Sequence, residues 1–348
     1  DVDPLARLGG DEFVVLLPRV RLPADAATVA RKLLREIEQP FSVSGHDLYV
    51  GASIGIALYP ADGSNADTLI KHADLAMYAV KDHGRNGFQF YRPEIDNGSA
   101  RKLVLANGLH RALEGGELAV HYQPQVDSQT RRITGVEALV RWHHPSLGIL
   151  NPGEFLPIAE ETGLMVAIGE WVLQQACADM RNWRAHGMLD IRLAVNFSAV
   201  QVDQENFVEL VLGTLRNSGL PPSVLEVEVT EDGIMKDMQA AAHKLSLLAQ
   251  AGVRIAIDDF GTGYSSLSYL RSLPIHTIKI DRSFMQDVRG TGGDHSLITA
   301  IVNIAESLSL NSIAEGVETE AQLEFLRSHG CPEAQGFLFS RAVPACDI

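Results

Sequence analysis

Cysteine is scarce. Three residues, Cys177, Cys331 and Cys346, are scattered over 348 positions, with neither the spacing of a zinc site nor the pairing of a disulfide framework. Reduced structural thiols in a cytoplasmic protein are the expectation. No apolar run approaches the ~20 residues that a membrane helix needs, and no basic segment followed by a short apolar one opens the chain. The fragment is therefore expected to make no membrane contact, although an upstream segment could anchor the parent protein to the inner membrane. The chain begins at Asp1 rather than Met, inside patterned sequence, and reads as a fragment. Positive charge is also in deficit, with 29 Lys and Arg against 44 Asp and Glu for a net charge of −15. Nonspecific nucleic-acid binding relies on clustered Lys and Arg, so no nucleic-acid polymer is expected as a partner. An anionic substrate stays admissible if cations stand between it and the acids.

Hydrophobic residues make up 46% of the chain and charged residues 21%, a globular composition with material for a buried core. The length suits two domains. Residues 1–92 alternate strand and helix signals. Phe13 to Leu17 reads as a strand, the apolar positions between Ala26 and Ile37 fall at helical spacing, and Leu48 to Tyr59 is a long β-prone run. A second helix carries Leu69, Ala73, Met77 and Val80, and Phe88 to Tyr91 closes the unit as a short strand. PEIDNGS (Pro93 to Ser99) reads as a turn-rich junction, so 93–104 is taken as a linker.

From Leu118 onward the pattern is strand then helix, repeated. The strand-like runs are Leu118–Val126, Ile133–Val140, Ile191–Asn196, Val224–Val229, Val253–Asp258, His276–Asp281, Asn311–Ala314 and Ala334–Phe339. One long helix is expected between Phe155 and Ala185. Eight strands with intervening helices over residues 105–348 have the length and rhythm of a (βα)8 TIM-type barrel.

Function in such a barrel sits at the C-terminal ends of the strands. The polar residues expected there are Gln123, Glu137, Arg141, Asn196, Glu228, Asp258, Asp259, Lys279, Glu315 and Gln335. Converging carboxylates repel one another, at a cost of ~4 kcal/mol for a pair 4 Å apart at an effective dielectric of 20. Either some are protonated or cations bind among them. The donor set is all oxygen, which suits Mg2+ or Mn2+ rather than zinc. Adjacent Asp258 and Asp259 are what two bridged ions would need. Taken singly, these residues have plainer readings. An acid at a strand end is commonly a helix cap, Asn196 could cap a turn, and Lys279 could simply pair with Asp281. His143–His144 resembles a metal pair, yet neighbours on a strand face opposite ways, which favours a structural role.

Several motifs together carry a resemblance. GVEALVRW (Gly135 to Trp142), VNFSA (Val195 to Ala199), EVTE (Glu228 to Glu231), DDFGTGYSSL (Asp258 to Leu267), IKID (Ile278 to Asp281), AEGVET (Ala314 to Thr319) and QGF (Gln335 to Phe337) resemble the EAL family. Its members are cyclic di-GMP phosphodiesterases that open the ring to linear pGpG. The resemblance implies Glu137, Asn196, Glu228 and Asp258 as ligands of one metal ion, with Asp259 serving a second. It implies that Lys279 orients water or phosphate and that Glu315 and Gln335 complete the catalytic rim. Gln123, Leu139 and Arg141 would touch substrate, and Glu231 would anchor the glycine-rich loop Gly261 to Ser266. The one departure is Ala342, near a position where relatives often have proline. Competing readings are a cyclic di-GMP receptor without turnover and an unrelated metal-dependent barrel hydrolase. Dimerisation through residues 265–272 is left open.

LARLGGDEF (Leu5 to Phe13) reads as a hairpin turning at Gly9–Gly10. With SIGIA (Ser53 to Ala57), ADLAMY (Ala73 to Tyr78) and KDHGRN (Lys81 to Asn86) it resembles the later half of the GGDEF family, diguanylate cyclases that condense two GTP molecules. The resemblance implies that Gly9 and Gly10 admit the base, Asp11 and Glu12 hold metal, and Lys81 and Arg85 meet the triphosphate. Val80 replaces a usual alanine. Cyclase activity is not expected of this fragment; in the parent the domain either belongs to a cyclase or binds GTP to tune the barrel.

Overall fold

The computed structural model describes residues 4–9, 12–39, 41–43, 46–48, 50–82, 86–235, 237–261, 270, 273–286 and 296–348. The chain divides into two compact units, Asp1–Leu105 and Ala106–Ile348.

In the first unit, β1 (Leu5–Gly9) and β2 (Glu12–Val15) form the expected antiparallel hairpin, with Gly9 opposite Glu12. Helix α1 (Pro23–Ile37) opens on a proline, whose fixed φ suits the first helical position. The long β-prone run from Leu48 to Tyr59 is not one strand. β4 (His46–Leu48) pairs back onto β3 (Phe41–Val43), whereas β5 (Ser53–Ile56) pairs in parallel with β6 (Gly87–Phe90). Gly51 lies in the gap, where it offers a strand no side chain to pack. Helix α2 (Ala66–Asp82) lies so close to β5 that a Cβ on Gly55 would come within 1.8 Å of the Ala73 carbonyl oxygen.

The junction expected to turn is instead helical. Helix α3 (Pro93–Gly115) is continuous despite Asn97, Gly98 and Ser99. Pro93 begins it, and buried Leu105, Leu109 and Ala112 anchor its later turns at helical spacing, which outweighs weak local propensity.

The second unit is a closed barrel of eight strands. They are β7 (Leu118–Asp127), β8 (Ile133–His144), β10 (Arg192–Phe197), β11 (Leu225–Thr230), β12 (Arg254–Phe260), β13 (Thr277–Ile280), β14 (Asn311–Ala314) and β15 (Glu333–Gln335). β7 closes the circle by pairing with both β15 and β8, and both pairings are antiparallel. The other neighbours run parallel. Helices are expected between most of the strands, and the first pair is the exception. The stretch between β7 and β8 is too short for a crossover helix, so those strands make a hairpin and β7 runs backwards. β9 (Gly148–Leu150) extends β8, and β16 (Val343–Pro344) pairs with β7.

The expected single helix from Phe155 to Ala185 is two, α4 (Pro152–Glu161) and α5 (Met165–Ala185), separated where Gly163 takes φ +73. Next come α6 (Ala199–Asp203), α7 (Phe207–Ser218), α8 (Glu231–Met235), α9 (Met238–Gln250), α10 (Arg282–Gln286), α11 (Ser296–Ser307) and α12 (Glu320–Ser328). The last begins on a capping box, Thr319 Oγ1 accepting the Gln322 N–H while Gln322 Oε1 accepts that of Thr319. No helix among the described residues is long and apolar enough to cross a membrane.

Candidate active site

The C-terminal ends of the parallel strands meet at one rim, and Lys279 of β13 stands at its centre. Its side chain is fully buried, and its Nζ donates to Glu228 Oε2 of β11 at 2.6 Å and lies 2.7 Å from Glu315 Oε1. Asp258 Oδ1 of β12 is at 3.2 Å and Glu137 Oε1 of β8 at 3.6 Å. The plain pairing of Lys279 with Asp281 is therefore not what forms. Glu137 also accepts from Asn196 Nδ2 at 2.6 Å and from Gln335 Nε2 at 2.5 Å.

Two expected positions are corrected in detail. Gln123 is not at the end of its strand but in the middle of reversed β7, directly opposite Glu137. From there its Oε1 accepts from Gln335 Nε2 at 3.1 Å and its Nε2 donates to the Ser340 carbonyl at 3.1 Å. Gln335 ends β15 rather than standing near the start of a longer strand, Ala334–Phe339. Leu139 and Arg141 follow Glu137 at two-residue spacing, so all three occupy one face of β8. Burial holds the Arg141 guanidinium below its usual value.

Asp258 and Asp259 present a geometric problem, because neighbours on a regular strand point to opposite faces. The chain solves it with a register shift in the β12–β13 pairing between Ile257 and Phe260, and with a left-handed backbone at Asp259, φ +54. As a result Asp258, Asp259 and Glu315 offer oxygens within 4.8 Å of one another, and so do Glu137, Glu228 and Asp258. Asp258 belongs to both groups.

Charge is out of balance at the rim, with five carboxylates around one ammonium. Burial pushes the Glu228 carboxyl well above the ordinary range, and nearby Glu137 and Asp258 add to it despite Lys279. Burial likewise takes Glu315 up to about 8 and Asp259 to about 6, the latter also facing Asp258 and Asp281. Glu137 goes the other way. Burial would raise it, but Lys279, Gln335 and Asn196 together hold it below the usual value. Lys279 is raised, its burial outweighed by Asp258, Glu137, Glu228 and Glu315.

The residues fit divalent cations. Glu228 Oε1 is buried without a hydrogen-bond partner, an acceptor waiting for a positive charge. The donors are carboxylates and one amide, the chemistry of hard ions. Asp281, not singled out as a site residue in the sequence, hydrogen bonds Asp259 and is held low despite burial by the Ser283 hydroxyl and backbone. Its place two residues beyond Lys279 was the available signal.

Glu231 opens α8, and its Oε2 accepts the Gly261 N–H at 3.4 Å. Gly261 takes φ +95, a conformation that favours glycine. Residues 262–269, including the rest of the glycine-rich loop, lie outside the described residues, as do 271 and 272 of the segment considered for dimerisation. In the first unit Gly9 and Glu12 flank the hairpin turn, and Gly10, Asp11 and Arg85 lie outside the described residues. The Lys81 ammonium lies 5.3 Å from the centre of the Tyr78 ring.

A closed barrel with an acidic, lysine-centred rim defines the class, and comparison with known proteins names the family. Residues 106–342 match the EAL domain, and the chain belongs to the EAL family. Residues 1–87 match the family described as diguanylate cyclase, GGDEF domain. The chain is 49% identical over 343 residues to the bifunctional diguanylate cyclase/cyclic di-GMP phosphodiesterase MucR of Pseudomonas aeruginosa, covering 99% of this chain and 50% of MucR. It is 38% identical over 341 residues to cyclic di-GMP phosphodiesterase PdeR of Escherichia coli, covering 98% of this chain and 51% of PdeR. The chain thus spans about half the length of these relatives. A solved structure described as PaMucR phosphodiesterase in a c-di-GMP complex matches with a TM-score of 0.68 at 48% identity, over 70% of this chain and 99% of that one.

Proposed function

We propose that residues 105–348 hydrolyse cyclic di-GMP to linear pGpG with two divalent ions, Mg2+ or Mn2+. The observation that carries this reading is the rim itself, where Lys279 sits within 3.6 Å of four carboxylates and Glu228 Oε1 has no partner. Glu137, Asn196, Glu228 and Asp258 would hold one ion, and Asp259 with Asp258 the second. Bound there, the ions would supply a hydroxide nucleophile at neutral pH and neutralise the phosphate. Lys279 directs its ammonium to the middle of the rim, where it orients water or a phosphate oxygen. Water attacks one phosphorus, the P–O3′ bond breaks, and the ring opens. Gln335 fixes Gln123 and Glu137 relative to each other, while Leu139 and Arg141 continue the same strand face toward substrate. Glu231 ties the start of the loop after β12 to the rim.

For residues 1–92, within the first unit, we propose GTP binding that tunes the barrel in the parent protein. A homodimer through residues 265–272 is a further proposal. Buried, unpaired Cys177 and Cys331 support a cytoplasmic setting. The test of the main reading is chromatography of products after incubation with cyclic di-GMP and Mg2+ or Mn2+. Linear pGpG that disappears with chelator is the expected result. Intact nucleotide bound without turnover would make the chain a receptor instead.

A further inference from the structure

Barrels of this kind are commonly filled by layers of bulky aliphatic side chains. Here the rim rests on a second polar layer. Two residues before Glu228 on β11 is Glu226, and two before Lys279 on β13 is Thr277, both fully buried. Strand alternation puts each pair on one face, about 6.6 Å apart along the strand. Thr277 Oγ1 donates to Glu226 Oε2 at 2.7 Å, joining the same two strands that Lys279 and Glu228 join above at 2.6 Å.

β12 runs between those strands. The residue it places there is Ala256, opposite Glu228 on one side and Thr277 on the other. Its methyl group is small enough for side chains to reach past it. Arg254 Nε donates to the same Glu226 oxygen at 3.0 Å, and Arg192 Nε lies 3.7 Å from the other.

We propose that Glu226 and Thr277 are positioning residues, which hold β11 and β13 at the spacing that the Glu228–Lys279 contact requires and so set the rim's affinity for divalent ions. The inference rests on the function proposed above, and Mn2+ binding tests it independently of turnover. Replacing Glu226 strips Arg192 and Arg254 of a buried partner and can unfold the barrel, so Thr277→Val is the decisive variant. It keeps the side-chain shape and removes only the hydroxyl, which Thr277→Ser restores.

With Mn2+ binding followed by electron paramagnetic resonance, Thr277→Val should bind about tenfold more weakly, in the range typical of outer-shell partners. Its kcat on cyclic di-GMP should fall about tenfold with KM little changed, and Thr277→Ser should stay near wild type. Wild-type Mn2+ affinity and kcat in Thr277→Val, even with a lowered Tm, would overturn the proposal. Equal losses in the Val and Ser variants would also overturn it, because the effect would then not follow the hydroxyl. If the wild type binds Mn2+ but leaves cyclic di-GMP intact, the functional reading fails while the Mn2+ comparison still decides this pair.

Discussion

The two polar layers inside the barrel stand two residues apart on β11, β13 and β15 and four apart on β10 and β12, and they differ in charge balance. In the lower layer two acids, Glu226 and Glu333, meet two guanidinium groups. Arg192 pairs with both acids and Arg254 with Glu226. In the rim four acids share Lys279, and a fifth, Asp259, lies beside Asp258 and Glu315. The lower network balances its charges and serves to hold strands, although Glu226 Oε1 and Arg192 Nε, 3.7 Å apart, have no hydrogen-bond partner. An unbalanced one stores repulsion that divalent ions relieve. Similar residues, similarly buried, are thus structural in one layer and reactive in the next.

The sharpest break of that comparison is one substitution in each layer. Glu137→Ala removes an oxygen donor that Asn196, Gln335 and Lys279 all engage. Turnover of cyclic di-GMP should drop by well over the ~100-fold that outer-shell changes cause, while circular dichroism stays native. In the lower layer Arg192→Met leaves Glu333 and buried Glu226 without their shared partner. Breaking a buried pair costs about 3 kcal/mol, read as a lower denaturation midpoint. If instead Arg192→Met abolished turnover at full stability, the division of labour between the layers would be wrong.

Acidity separates the layers next. The proposed second ion needs Asp259 ionised and would favour the ionised form of Glu315 beside it, and burial with neighbouring acids has raised them to about 6 and about 8. Mn2+ affinity should therefore climb about tenfold between pH 6 and pH 8 as protons are released. Metal-free stability has the opposite sign. In this window the folded protein holds protons that the unfolded chain has already lost, so stability declines as pH rises through the raised values. Calorimetry with and without Mn2+ measures both trends, and Glu315→Gln should flatten them. A metal-free stability that rose across this window would contradict the charge imbalance at the rim.

How much of this was legible depends on whether a residue's neighbours in sequence are its neighbours in space. The rim was readable because Asn196, Glu228, Asp258, Lys279 and Glu315 recur near strand ends that one topology gathers, and Glu137, partway along β8, joins them. The hairpin between β7 and β8 was missed although the gap is too short for a helix, because the turn at Asp127 carries no Asn-Gly signal. Its carboxylate instead accepts the Thr130 N–H at 2.6 Å, and Arg131 takes φ +59. The α3 junction misled because Asn, Gly and Ser weaken a helix locally, whereas burial several turns later decides it. The lower layer was invisible for a different reason. Glu226, Arg254 and Thr277 look like ordinary strand residues until their partners on other strands are known.

Asp258 and Asp259 show how such reasoning can name a pair that the fold brings together against its own rule. Alternation separates His143 from His144, which the structure places against different rings, His121 and Trp142. The same rule would separate the two aspartates, and only the left-handed turn at Asp259 brings their carboxylates together. Aspartate and asparagine tolerate that conformation better than branched residues do. Asp259→Asn should therefore leave the metal-free barrel about as stable as wild type. Asp259→Val should cost about 1 kcal/mol more than Asn, the penalty of placing a branched side chain in the left-handed region. Both variants lose the carboxylate, and making the comparison in an Asp281→Ala background, where neither side chain can hydrogen bond position 281, lets metal-free thermal unfolding isolate the backbone contribution. Equal midpoints for Asn and Val would mean that the turn relaxes freely and that the pairing of the two aspartates is not built into the strand.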